Sequence, residues 1–155
     1  MAEVAYAAIT APVGLDPAAP VLQLVREVMQ ADSAGFYTHE WDGTSVAVHI
    51  EPVEVWRIIP FARIPTWRAA ALNPGIDHLI SARRPDPFAV TDVVSVRAWW
   101  GSELHSMMKA DWGRNFQFAI PVASVDRAAE SQVWVLGRTM LEFGPRDREV
   151  AGAIA

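Results

Sequence analysis

Alternation of apolar and polar residues is clearest late in the chain, in the run Asn115-Phe-Gln-Phe-Ala-Ile-Pro-Val. Phe116, Phe118, Ile120 and Val122 occupy every second position, the period of a strand with one buried face. A polar break covers residues 124–131, and a second strand run follows, Gln132-Val-Trp-Val-Leu-Gly-Arg-Thr. The two runs predict a hairpin. From Phe143 the period changes to that of a helix. Pro145 has the fixed φ that suits a first helical position, and Asp147 places a carboxylate in the first turn. Its apolar stripe (Val150, Ile154) is barely established at Ala155, so the helix is expected to continue into a segment outside this sequence.

Residues 1–16 are Ala-rich without a period and read as an N-terminal tail or an extra helical turn. Asp16-Pro17 then supplies a cap and a first helical position, predicting a helix over 17–30 with Val21, Leu24, Val25 and Val28 on its buried face. Residues 35–50 read as a hairpin about the turn residues Asp42-Gly43, so that the numbers of paired residues sum to 85. In that register Tyr37, His39, Trp41, Val46, Val48 and Ile50 share one face, and Phe36, Glu40, Ala47 and His49 the other. His39 and His49 then point to opposite sides and cannot ligate one metal.

Between residues 51 and 87 the pattern is broken by Pro52, Pro60, Pro65, Pro74, Pro85 and Pro87. Short helices are expected at 53–59, 66–72 and 74–81. The stretch is long for a connection, and Trp56, Ile58, Phe61, Trp67, Leu72 and Leu79 make it too apolar for a solvated loop. It is expected to lie across the sheet as a lid. Phe88 to Asp92 reads as a short strand. Ser95 and Ser102 are placed to cap helices over 96–100 and 103–109, and Gly113 to end the second. The order predicts an α+β fold: an antiparallel sheet with the terminal helices on one face and the short inserted helices on the other.

Composition narrows the function. A chain of 155 residues, 52% hydrophobic and 20% charged, is a single globular domain rather than a disordered segment. No apolar run of about 18 residues and no signal-type start are present, so no membrane association is expected. Without cysteine there are no disulfides, thiolate metal clusters or thiol catalysis, and the chain reads as cytoplasmic. The net charge of −5, with 13 scattered basic residues, gives no electrostatic footprint for nucleic acid.

Seven tryptophans are many for this length. Trp56, Trp67, Trp99, Trp100, Trp112 and Trp134 fall in the middle and closing segments, where they can line a small-molecule pocket between sheet and lid or simply pack a core. His78 and His105, in short lid helices, can orient a ligand or serve as hydrogen-bonded structural residues. Four dispersed histidines, with no H-E-x-x-H, do not make a metal site. Arg83-Arg84 can bind an anion or end a solvated loop. Arg146-Asp147-Arg148 reads as a charged helix start or as a joint between the domain and an output. There is no G-x-S-x-G, no glycine-rich phosphate loop and no acid pair at catalytic spacing, so no enzyme and no cofactor is expected.

Three stretches carry a family resemblance. Trp67 with Asn73-Pro74 and His78 is the first, and Thr91-Asp92-Val93-Val94-Ser95 with Trp99, Glu103 and Leu104 the second. The third and most specific is Phe143-Gly-Pro-Arg-Asp-Arg-Glu-Val, similar to an F(S/T)(P/E)RDR..L block. Together they resemble the GAF-like, PAS-related N-terminal sensor domain of actinobacterial LuxR-family helix-turn-helix transcriptional regulators, over residues 17–155. Gly144 departs from the family's Ser or Thr helix cap. The resemblance implies a ligand-sensing, homodimerising regulatory domain, with DNA bound only through a C-terminal helix-turn-helix domain outside this sequence. An unknown small-molecule effector would bind among Trp56, Trp67, His78, Trp99, Trp100, His105, Phe118 and Trp134. Acyl-homoserine lactones are not supported: their receptors need a tryptophan and a tyrosine close together and then an aspartate, and the tyrosines here are Tyr6 and Tyr37, ahead of the middle segment. The alternative is a ligand-free GAF-like module for dimerisation or protein contact.

Overall fold

A computed structural model of the protein describes residues 18–40, 45–52, 72–82, 86–122 and 130–154. In chain order these form α1 (Ala18–Val28), β1 (Ser33–Glu40), β2 (Ser45–Glu51), α2 (Pro74–Ala82), β3 (Phe88–Ala89) and α3 (Val90–Val93). There follow α4 (Val96–Trp100), α5 (Glu103–Trp112), β4 (Phe116–Val122), β5 (Glu130–Arg138) and α6 (Pro145–Ile154). The strands make one five-stranded sheet in the order β2-β1-β5-β4-β3, with every neighbouring pair antiparallel. Pro121 lies beyond the two residues of β4 that β3 pairs, where β4 is an edge on that side and tolerates a missing N–H. The expected lid helices at 53–59 and 66–72 (except Leu72), the hairpin turn and Arg83-Arg84 lie outside the described residues.

Register decides which side chains share a face. Phe36 pairs with Trp134, Ala34 with Leu136, Phe118 with Leu136, and Ile120 with Trp134. This face packs on both terminal helices: Val21, Leu22, Val25 and Met29 from the α1 segment and Ala151 from α6 join Ala34, Phe118, Ile120, Leu136 and Phe143 in one buried cluster. The predicted stripe of β4 is therefore observed, facing the terminal helices. Tyr37, Ala119, Val133 and Val135 lie on the opposite face, packed with Leu79 of α2 and Phe88. A third cluster, Val90, Trp99, Leu104 and Met108, holds α3, α4 and α5 to one another.

Three expectations are corrected. Helix α1 and the turn after it bury Val21, Leu22, Val25 and Met29, leaving Leu24 half-buried and Val28 47% exposed, so the contact stripe is rotated from the predicted one. The hairpin keeps the sum of 85 only from Ala34 to Phe36. Beyond it Tyr37 pairs with Ala47, the sum falls to 84, and Val48 is the extra residue of a β-bulge. The strand expected from Phe88 to Asp92 stops at Ala89, because the Asp92 carboxylate accepts the Ala89 N–H (2.8 Å) and starts a helix at Val90.

The predicted caps at Ser95, Ser102 and Gly113 are in place, while residues 1–17, with the Asp16-Pro17 cap, lie outside the described residues. Ser95 Oγ accepts the Ala98 N–H (3.2 Å) and Ser102 Oγ the His105 N–H (3.1 Å). Gly113 ends α5 at φ 65°, a left-handed conformation that glycine adopts without strain. Helix α1 closes in the same way, with Ala31 N–H on Arg26 O (2.9 Å) and Gln30 N–H on Glu27 O (3.0 Å), but its left-handed residue is Gln30, at φ 48°. A Cβ there is a steric cost. Gln30→Gly is expected to raise stability by about 0.5–1 kcal/mol, after the greater chain entropy of glycine is subtracted. Urea denaturation checks this, and an unchanged or lower midpoint contradicts it.

Candidate ligand site and the joints of the terminal helix

Of the eight sequence candidates, Trp56 and Trp67 lie outside the described residues. Phe118 and Trp134 lie on the face of the sheet opposite α2. Phe118 is fully buried beside Phe143, ring centroids 5.0 Å apart, and Trp134 packs on the same terminal-helix cluster. The reason is their in-register pairing through Leu136 and Ile120, which puts both on the face that α1 and α6 cover. His78, on α2, is half-buried and edge-on to Phe88 at 4.7 Å, on the opposite side of the sheet. That opposite face brings in residues that aromatic counting missed: Tyr37, Val133 and Val135. The alternation of Val133 and Val135 with Trp134 was the signal available for them. Tyr37 lies along the strand over Gly35, where a Cβ would stand 2.6 Å from the tyrosine ring. Burial raises the Tyr37 phenol well above its usual range, so it is a neutral hydroxyl.

Trp99, Trp100 and His105 do come together, where α4 turns into α5. Trp99 is fully buried and its indole N–H donates to the Asn115 carbonyl (2.9 Å), tying α4 to the start of β4. The His105 imidazole meets the edge of Trp99 (5.4 Å) and lies nearly parallel to Trp100 (5.7 Å, 9°). Trp100 also meets Phe116 at 6.4 Å and is 52% exposed. His105 itself is buried, and burial, then the nearby Lys109 charge, lowers its pKa despite a hydrogen bond to the Trp100 backbone. Among the described residues no group of three His, Cys, Asp or Glu side chains could hold a metal ion.

The charged start of α6 is tied into the rest of the domain. Arg138, at the end of β5, grips Asp147 with Nη2 to Oδ1 at 2.6 Å and Nη1 to Oδ2 at 3.1 Å. The same guanidinium donates to Met29 O (2.5 Å) and Gln30 O (3.3 Å) at the end of α1, and lies 4.1 Å over the Phe143 ring. Asp147 Oδ2 also accepts the Gly144 N–H (2.7 Å), half of a capping box that functions without the cap side chain glycine lacks. A second joint reaches the lid side: Arg148 Nη2 donates to both oxygens of Asp92 (2.6 and 2.8 Å), and Thr91 Oγ1 to Glu142 Oε1 (2.5 Å). The two sequence blocks containing Asp92 and Arg148 therefore touch. That ion pair is more than a third exposed and is weak by itself.

Asp147 carries a pH signature. Burial alone would raise its carboxyl, but hydrogen bonds from Arg138 and Gly144 and the charges of Arg138 and Arg148 outweigh this and hold it below 3.8. Folded-state acidity above its unfolded value means that Asp147 stabilises the fold at neutral pH. The contribution is lost as pH falls below about 3.8 through the folded value. Thermal melts should show that Asp147→Asn reduces the stability difference between pH 7 and pH 3; an equal acid loss in both proteins contradicts the assignment.

No protein-family model matches the sequence, and no curated protein matches it at a significant level. Solved structures do match. The LBD domain of VqsR from Pseudomonas aeruginosa has a TM-score of 0.68 at 14% identity, over 99% of this chain and 87% of that one. CepR2 from Burkholderia cenocepacia, an N-acylhomoserine-lactone-dependent LuxR-family transcription factor, gives 0.64 at 14% identity, over 98% and 84%. A GAF domain/HD domain protein from Geobacter sulfurreducens gives 0.51 at 12% identity, over 86% and 80%. At such identities the likeness is one of fold. The chain has an α+β, GAF-like fold, shared with domains of LuxR-family regulators.

Proposed function

We propose that this chain is the ligand-sensing, dimerising regulatory domain of a LuxR-type transcriptional regulator, working in the cytoplasm without catalysis. The observation that carries the reading is the pair of joints on α6. Arg138 ties its first turn to the sheet and α1, and Arg148 ties it to Asp92 on the lid side. A small molecule held by aromatic side chains on the lid side would shift α3 and the sheet, and α6 would move with them. DNA contact belongs, in this reading, to a helix-turn-helix domain outside residues 1–155. Among the described residues no helix is long and apolar enough to cross a membrane. The shared fold with CepR2 supports the sensor class but does not carry over that protein's lactone.

Native mass spectrometry of the purified domain, followed by a metabolite thermal-shift screen, tests the reading. A co-purifying small molecule, or a stabiliser that quenches tryptophan fluorescence, is expected. If neither is found, the ligand-free interaction module takes its place. One observation favours that second reading: Trp100, Met140 and Leu141 are exposed, and large apolar side chains left in water suit a contact surface. Light scattering tests dimerisation in either case, and a monomer at all concentrations contradicts it.

A further inference from the structure

His105 is only 4% exposed, yet its Nε2 has no hydrogen-bond partner among the described residues. Buried polar atoms are rarely left unpaired, so this one calls for an explanation. The hydrogen bond to the Trp100 backbone must come from the other ring nitrogen, Nδ1. A carbonyl at Nδ1 keeps the proton there and leaves Nε2 as a lone-pair acceptor. The imidazolium form is opposed by burial, by Lys109 one turn on, and by the N-terminal end of α5, where His105 is the third residue. Nε2 thus faces a missing donor, not a missing anion.

The surrounding rings define the shape of that donor's owner. Trp99 is fully buried with its N–H already committed to Asn115, so it forms a fixed wall. Trp100 is parallel to the imidazole and half-exposed, so it is the side chain that can swing aside at least cost. Resting on the sensor reading, we propose that, when Trp100 swings aside, the buried edge of His105 beside Trp99 becomes a subsite for a flat, uncharged molecule bearing an O–H or N–H group. His105 Nε2 accepts that hydrogen bond in the plane of the imidazole, and Trp100, once swung aside, closes over the ring of the bound molecule. A site with a committed acceptor rejects an analogue lacking the donor far more strongly than packing alone would.

Phenol and anisole, matched in size and differing in the donor, are the probes, and nitrogen-15 NMR of the imidazole with ligand titration is the readout. In the free domain Nε2 should show the shift of an unprotonated acceptor. Phenol should move that shift and bind at least tenfold tighter than anisole. In His105→Phe the two should bind within about twofold of each other. Trp100→Ala, at an exposed position, should weaken both probes while keeping the fold. A protonated Nε2 in the free domain, equal binding of the two probes by the wild type, or a preference surviving in His105→Phe overturns the subsite. If phenol fails to bind while a metabolite recovered with the domain binds wild type and His105→Phe equally, the subsite falls and the sensor reading stands. Loss of all small-molecule binding removes both.

Discussion

Arg138→Ala is expected to lower the stability of the domain by about 3–5 kcal/mol, the cost of breaking a largely buried ion pair by removing one partner. The Arg138 and Asp147 side chains are 12% and 19% exposed, so water cannot readily replace the lost guanidinium. The substitution strips both carboxylate oxygens of Asp147, uncovers the Met29 and Gln30 carbonyls, and removes the cation from the Phe143 ring. A loss near the lower end corresponds to a melting point about 6–12 °C lower. Asp147→Ala should cost less alone, since the guanidinium keeps the Met29, Gln30 and Glu142 carbonyls as acceptors. The double variant should be more stable than the sum of the singles implies. Calorimetry of the four proteins checks the cycle. A loss below about 1 kcal/mol for Arg138→Ala, or simple additivity, would mean that the joint does not hold α6.

The second large effect is Trp99→Ala, expected to cost about 3–5 kcal/mol through the cavity left by a fully buried indole. Trp99→Phe separates the two contributions of that side chain. It keeps most of the packing among Val90, Leu104 and Met108 but leaves the Asn115 carbonyl without its donor, for about 1–2 kcal/mol. Asn115 also gives its N–H to Arg138 O (3.0 Å) and its side-chain amide to Thr139 O (2.7 Å). Loosening α4 therefore reaches the strand end from which Arg138 grips α6. Urea denaturation checks both variants; a Trp99→Ala protein within about 1 kcal/mol of wild type would contradict the packing described.

Much of the architecture was legible because local chemistry decided it. Ser95, Ser102, Gly113 and Pro145 each occupy the helix end their backbone preferences suit, and Phe116 to Val122 alternates without ambiguity. Choosing the correct face was harder. Phe118 and Trp134 look like pocket residues until the pairing of β4 with β5 and of β5 with β1 puts them under α1 and α6. In α1 and the residue after it apolar side chains occur at 21, 22, 24, 25, 28 and 29, so the pattern allowed two adjacent stripes and only the sheet selected one. The joints were unreadable for another reason: Arg138 meets carbonyls 108 and 109 residues away, and Arg148 meets Asp92 across 56. The resemblance marked both partners of the second pair without indicating that they touch. His105 stood out only as a histidine in a short helix; its unpaired Nε2 is a property of the packed state.

The central claim is that ligand occupancy on the lid side is transmitted to α6. Hydrogen exchange of the α6 amides, with and without a small molecule recovered from the thermal-shift screen, tests it most directly. The account predicts that exchange across Pro145–Ile154 slows severalfold on binding, and that Arg148→Ala abolishes the slowing while binding persists. A ligand that protects the lid side and leaves α6 exchange unchanged would contradict it.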